Sequence, residues 1–170
     1  MISTALIITL QMDPASAEHF TSLRTVHFPP ERNWLSAHVT LFHALPIEAR
    51  DEVLRDVAEL AGRTGRFDMS ADRLLFLGRG VAYGVTAPQA VNLRSELAAR
   101  WKPLLSRQDG AWHGRLHITV QNKVEPSVAR LLHSELQRGF ETRPMVATGL
   151  QVWNYVGGPW EPVATFEFTR

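Results

Sequence analysis

The sequence holds no cysteine. Disulfides, thiolate metal sites and a cysteine nucleophile are thereby excluded, and any metal would have to be held by histidines and carboxylates. An excess of charge is missing too: 18 basic residues stand against 17 acidic ones, a net charge of +1, with neither sign gathered in a long block. That balance excludes a general electrostatic binder of duplex DNA, while a short or terminal nucleotide remains compatible. The first apolar run, Ile2 to Leu10, is too short to span a membrane and lacks the basic region and cleavage site of a signal peptide. A cytoplasmic protein with no membrane partner is expected. There is no GxxxxGK or GxGxxG loop and no HExxH, so nucleoside triphosphate and zinc-protease chemistry have no foothold. No linker of Ser, Gly or Pro divides the 170 residues, a length that suits one domain with a real core. We expect residues 1–170 to form a single domain and a monomer.

What the chain does contain is one tetrapeptide pattern used twice, His38-Val39-Thr40-Leu41 and His117-Ile118-Thr119-Val120. Side chains alternate across a strand, so His38 and Thr40 share one face while Val39 and Leu41 share the other, and the second copy does the same. Strands lying side by side would bring two imidazoles and two hydroxyls to one place, a set suited to holding a phosphate and moving two protons. A third copy, His19-Phe20-Thr21, follows Pro14 with Phe20 and Leu23 at helical spacing, which predicts surface helix instead.

The surroundings of the two strand copies match as well. Each follows a polar loop and precedes a proline and a helical pattern, Pro46 to Val57 in one case and Pro126 to Leu136 in the other. Each helix then leads to a strand pair broken by glycine: 74–77 with 81–85, and 152–155 with 163–166. This pattern predicts an internal duplication packed about a pseudo-twofold axis rather than a solenoid. The predicted elements are strands 4–12, 37–44, 67–77, 80–86, 114–122, 145–156 and 161–169, and helices 15–26, 48–61, 88–102 and 126–138. Loops 27–36 and 103–113 are expected at the cleft rim. Hairpin signals require antiparallel pairing, so the expected class is α+β.

The paired motifs Ala37-His38-Val39-Thr40-Leu41 and Leu116-His117-Ile118-Thr119-Val120, with Phe28-Pro29-Pro30 ahead of the first and Gln121-Asn122-Lys123-Val124 after the second, resemble the two-histidine (2H) phosphoesterases, in particular the bacterial 2'-5' RNA ligase and cyclic phosphodiesterase-like proteins. The resemblance implies two pseudo-symmetric lobes, each an antiparallel sheet with outer helices, and an active cleft between them. It implies that His38 and His117 act as acid and base on a phosphodiester without metal or cofactor, while Thr40 and Thr119 donate hydrogen bonds to its nonbridging oxygens. The substrate implied is an RNA end or a small cyclic or 2'-5' nucleotide, with a 2',3'-cyclic phosphate or a 2'-5' linkage hydrolysed or reversibly formed. A phosphate- or nucleotide-binding module without turnover is the alternative; a metal site built on His38, His117 and a carboxylate ranks last, because no Asp or Glu adjoins either motif.

Further candidates for substrate binding are cations and a hydroxyl near the motifs: Arg115 and Lys123, placed by strand parity on the His117 face, Arg79 at the hairpin opposite, and Tyr83. Trp34, Phe42, Trp112 and Trp153 are candidates to stack on a base, with core packing as their default role. His43 has odd parity relative to His38 and is expected to face away from the site; His113, at the start of the second strand, is the remaining histidine expected nearest the cleft.

Overall fold

In the computed structural model, which describes residues 4–170, the apolar runs become seven antiparallel strands of one sheet: β1 Ala5–Met12, β2 Val39–Leu45, β3 Phe67–Phe76, β4 Val81–Thr86, β5 Leu116–Gln121, β6 Arg143–Tyr155 and β7 Glu161–Glu167. The helices are α1 Pro14–His27, α2 Arg50–Gly62, α3 Pro88–Arg100, the short α4 Arg107–Gly110 and α5 Pro126–Arg138. Proline opens α1, α3 and α5, where its missing N–H costs nothing. Asp13 caps α1 by accepting from the Ser16 N–H at 3.1 Å, and its other oxygen accepts from the Val146 N–H at 2.9 Å, fixing the helix start to β6. Helix α4 lies in a segment expected to be loop; the Ser106 side chain caps it through the Asp109 N–H. No helix among the described residues is long and apolar enough to cross a membrane.

The strand order is β2-β1-β6-β3-β4-β5, with β7 paired to β6. Read from either end, the order matches β2 with β5, β1 with β4 and β6 with β3. The sheet thus assigns β4 the place of β1, whereas the sequence pattern sets β4 against β7. At the centre β3 and β6 pair from Phe67↔Ala147 to Ala71↔Arg143. The sheet curls, and its two end strands β2 and β5 approach each other without forming a ladder. These end strands carry the two His-x-Thr motifs, one in each lobe of this α+β fold.

Both motif strands bulge at the same point. Opposite β1, Thr9 meets Thr40 and Ile8 meets Phe42, leaving Leu41 as the extra residue; opposite β4, Ala82 meets Thr119 and Val81 meets Gln121, leaving Val120 extra. Leu41 and Phe42 are consequently both fully buried. Gly80 lets the β3–β4 turn approach the end of β5, because a Cβ there would sit 2.0 Å from the Gln121 carbonyl oxygen.

Two buried arginines join the lobes. Arg24 of α1 donates from Nη1 to the Thr119 carbonyl of β5 at 2.9 Å and from Nε to Leu35 O and Asn33 Oδ1, each at 3.2 Å. Arg94 of α3 donates from Nε to the Leu41 carbonyl of β2 at 3.0 Å and from Nη2 to Asp109 O at 2.8 Å. Arg94 is stacked between Phe42 and Trp112, with Cζ at 4.4 and 4.3 Å from the ring centroids. Each motif strand is therefore gripped by the helix that precedes the other motif. Replacing Arg94 with Met removes the guanidinium donor from the Leu41 and Asp109 carbonyls together with its packing between Phe42 and Trp112, and we expect a loss of about 2–4 kcal/mol in urea unfolding, against a change below about 0.5 kcal/mol for the exposed Arg138→Met.

Candidate active site

His38 stands immediately ahead of β2, half-buried, with Val39 and Leu41 turned into the core and Thr40 half-buried on its own side. Its Nδ1–H donates to the Ser36 carbonyl at 2.8 Å, which leaves Nε2 as the free nitrogen. Burial, joined by the charges of Arg24, His117 and His43, pushes His38 down to about 4 although the Ser36 contact works the other way. His38 is thus a neutral imidazole at neutral pH. His117, exposed on β5, is lowered by burial of its surroundings and by the charge of His43. The motif strands β2 and β5 approach each other at the ends of the curled sheet, and the charge of His117 accordingly bears on His38.

His43 belongs to the same cleft, contrary to the expectation from parity. Leu41 and Phe42 both point into the core at the bulge, so the alternation slips by one and the row on the open face reads His38, Thr40, His43. Its Nδ1 lies 3.0 Å from Asp109 Oδ1, and the same carboxylate accepts from the His43 N–H at 2.8 and 3.0 Å and from the Ala44 N–H at 3.0 Å. Burial alone would raise the Asp109 carboxyl, but the donors from His43 and Ala44 outweigh it and hold it below the usual carboxylate range.

The auxiliary candidates divide. Arg115 is exposed, one residue ahead of β5 and two before His117. Lys123 does not keep the parity of His117: the bulge at Val120 intervenes, the strand ends at Gln121, and Lys123 sits in an exposed turn at φ 60°. Arg79 donates from Nε to the Val124 carbonyl at 3.1 Å and so holds that turn. Tyr83 is opposite Ile118 in the β4–β5 register and shares its face, away from His117 and Thr119; its ring packs on Phe20 at 5.1 Å and lines a separate cavity on the helix side. The expectation that its hydroxyl serves the motif histidines is corrected accordingly. Phe42 is core, Trp112 stacks on Arg94, and Trp34 is exposed. His113 is exposed and lies just ahead of β5.

A cavity of about 370 Å³ opens beside His38, lined among others by Ser36, Gln151, Trp153 and Trp160. The Trp160 ring lies 4.7 Å from the His38 ring and 6.2 Å from Trp153. Trp153 Nε1 donates to Thr9 Oγ1 at 2.8 Å, and Thr9 donates on to Gln151. Sequence reasoning named Trp153 and missed Trp160, whose place in the turn after Gly157-Gly158-Pro159 gives no strand parity to follow. It also missed Arg73, which lies across Gly84, the residue opposite His117, and is paired with Asp72 at 2.7 Å. Among the described residues no group of three or more His, Asp or Glu side chains gathers at metal-ligand spacing.

Paired His-x-Thr motifs on the two end strands of a two-lobed α+β sheet, together with the family match over most of the chain, mark a phosphoesterase-type enzyme of the two-histidine class. Residues 12–159 match the 2'-5' RNA ligase superfamily, and the chain belongs to that family. Among solved structures, the fold is similar to TT0787 of Thermus thermophilus, with TM-score 0.63, 13% identity and coverage of 96% of this chain and 97% of that one. It is also similar to E. coli LigT in apo form, with TM-score 0.56, 16% identity and 99% of each chain covered. LigT complexed with 3'-AMP gives TM-score 0.57 at 16% identity, with 98% of this chain and 99% of that one covered. No curated protein sequence matches the chain.

The histidine environments yield a direct expectation. In a ring-resolved NMR titration, His38 should stay neutral in its Nδ1–H form down to a midpoint near 4. Its folded value lies below the unfolded value of about 6.5, so the stability it contributes is complete above about pH 6.5 and is lost as pH falls toward 4. A midpoint at or above the unfolded value would contradict the geometry.

Proposed function

We propose that this protein is a metal-independent phosphodiesterase that opens a 2',3'-cyclic phosphate, or cleaves a 2'-5' linkage, at an RNA end or in a small nucleotide. The observation that carries this reading is the free, unprotonated Nε2 of His38 in the same cleft as His117. His38 Nε2 takes a proton from a water molecule, whose oxygen bonds to phosphorus. The bond from phosphorus to one ribose oxygen breaks, and protonated His117 gives its proton to that oxygen, leaving a phosphate monoester. The anionic substrate raises the proton affinity of His117 on binding, which supplies the acid form. Thr40 and Thr119 donate to the nonbridging oxygens, and Arg115 adds positive charge at the open side. Ligation is the same chemistry in reverse with a ribose hydroxyl in place of water; in water hydrolysis is favoured.

The nucleoside is assigned to the cavity of Trp153 and Trp160, where one ring face stacks on a base and Gln151 supplies polar contacts. LigT structures complexed with 3'-AMP and with phosphate support a nucleotide-sized ligand for this fold. The matching strand order of the two lobes supports a single domain built by duplication, with the cleft at the meeting of its halves.

Hydrolysis of a nucleoside 2',3'-cyclic phosphate in EDTA tests the reading. Wild type should turn over in the chelator, and His38→Ala and His117→Ala should each lose about 10²–10⁴-fold in kcat. Activity unchanged in both variants would refute the assignment, and silence of the wild type across cyclic and 2'-5' linked substrates would favour a binding module. Separately, Trp160→Ala should raise KM by about 5–100-fold for a nucleoside substrate with kcat little changed, as loss of one stacking contact requires.

A further inference from the structure

The phosphate in this cleft needs more positive charge than two neutral hydroxyls provide, and the cations nearby are largely committed. Arg24 is occupied by carbonyls and Asn33, Arg73 by Asp72, and Lys123 stands in the turn beyond β5, which leaves Arg115 at the open side as the cation already assigned to the phosphate. We infer that the His43–Asp109 pair is a third phosphate-binding element of the site, the His43 Nε2–H donating to a nonbridging oxygen of the substrate. This rests on the phosphodiesterase reading and adds to it a group that the paired motifs do not contain.

The argument starts from the bulge. Because Leu41 and Phe42 both turn inward, His43 returns to the face of His38 and Thr40. Asp109 fixes the ring: its carboxylate holds Nδ1 at 3.0 Å and grips the backbone N–H groups of His43 and Ala44, which turns Nε2 away from Asp109, and about a third of the side chain is open. Asp109 is in turn held by Arg94, which clasps its carbonyl and that of Leu41, the extra residue of the bulge. The Asp109 side chain has no exposure to water. With Asp109 accepting at Nδ1 and an anionic oxygen of the ligand at Nε2, the ring binds as a donor on both sides, the Nε2 proton being taken up with the ligand.

The device exists on one side only. The same bulge in β5 brings Asn122 to the matching position, but its side-chain oxygen accepts from the Lys123 N–H at 2.8 Å. The row of His38, Thr40 and His43 on one face sets His43 beside the motif, and its charge accordingly bears on both His38 and His117. Three imidazoles thus face one cleft: one neutral, one that carries the proton to be transferred, and one held by a carboxylate for binding.

Histidine ring signals followed by NMR during titration with inorganic phosphate at neutral pH test this. His38, His117 and His43 should all shift with one common Kd, and His43→Phe and His43→Gln should each bind phosphate about tenfold or more weakly while the His38 and His117 signals still respond, as loss of a charged hydrogen bond requires. Shifts at His38 and His117 with His43 silent, or unchanged affinity in the two variants, would overturn the inference and leave the phosphodiesterase reading standing. No response from any of the three rings would overturn both.

Discussion

Two guanidinium groups set the geometry on which everything else depends. The motif strands β2 and β5 are the ends of the sheet, and no ladder joins them. Their approach is fixed instead by Arg24, reaching from the first lobe to the Thr119 carbonyl, and by Arg94, reaching from the second to the Leu41 carbonyl. A buried guanidinium must find acceptors, and strand ends at a bulge leave carbonyls to be satisfied. Each requirement answers the other. Burial lowers Arg24 to about 10, which still leaves it charged at neutral pH, so the brace carries a field as well as hydrogen bonds, and His38 feels it.

The two lobes are alike in backbone and unlike in electrostatics. Both motif strands carry His, Thr and a bulge in the same order, yet His38 is packed against Trp160 with Ser36 fixing its tautomer, whereas His117 stands open on its strand. A reaction that needs one proton acceptor and one proton donor requires that inequality. Matching strands alone would give two equal imidazoles; the loop before β2 and the turn before β7 make them different.

Much of the fold was legible because its long elements are strongly patterned, and the strands and helices expected from periodicity are those observed. The His38/Thr40 and His117/Thr119 faces were legible for the same reason, since parity is dependable over three residues. It failed over five and over six. His43 and Lys123 were both misplaced by a bulge that no local residue announces, formed by two consecutive residues turning inward at Leu41-Phe42 and at Val120-Gln121. Tyr83 was misplaced because the face a strand presents depends on its register with a neighbour, here Ile118, and register is a tertiary property. Arg24 and Arg94 were invisible as anchors: a single arginine on the apolar stripe of a helix carries no mark of the distant carbonyl it will meet.

The central strand β6 has a consequence for how the chain comes together. It is paired along β1 from Ala5↔Tyr155 to Met12↔Ala147, so one whole edge of β1 waits for a partner that is translated much later. Until then the pair of β1 and β2 presents an unsatisfied edge bearing Leu6, Ile8 and Leu10. Such distant pairing slows folding, since the loop must close before any ladder rewards it. During synthesis the first lobe therefore emerges with that edge of β1 unpaired until β6 has been made.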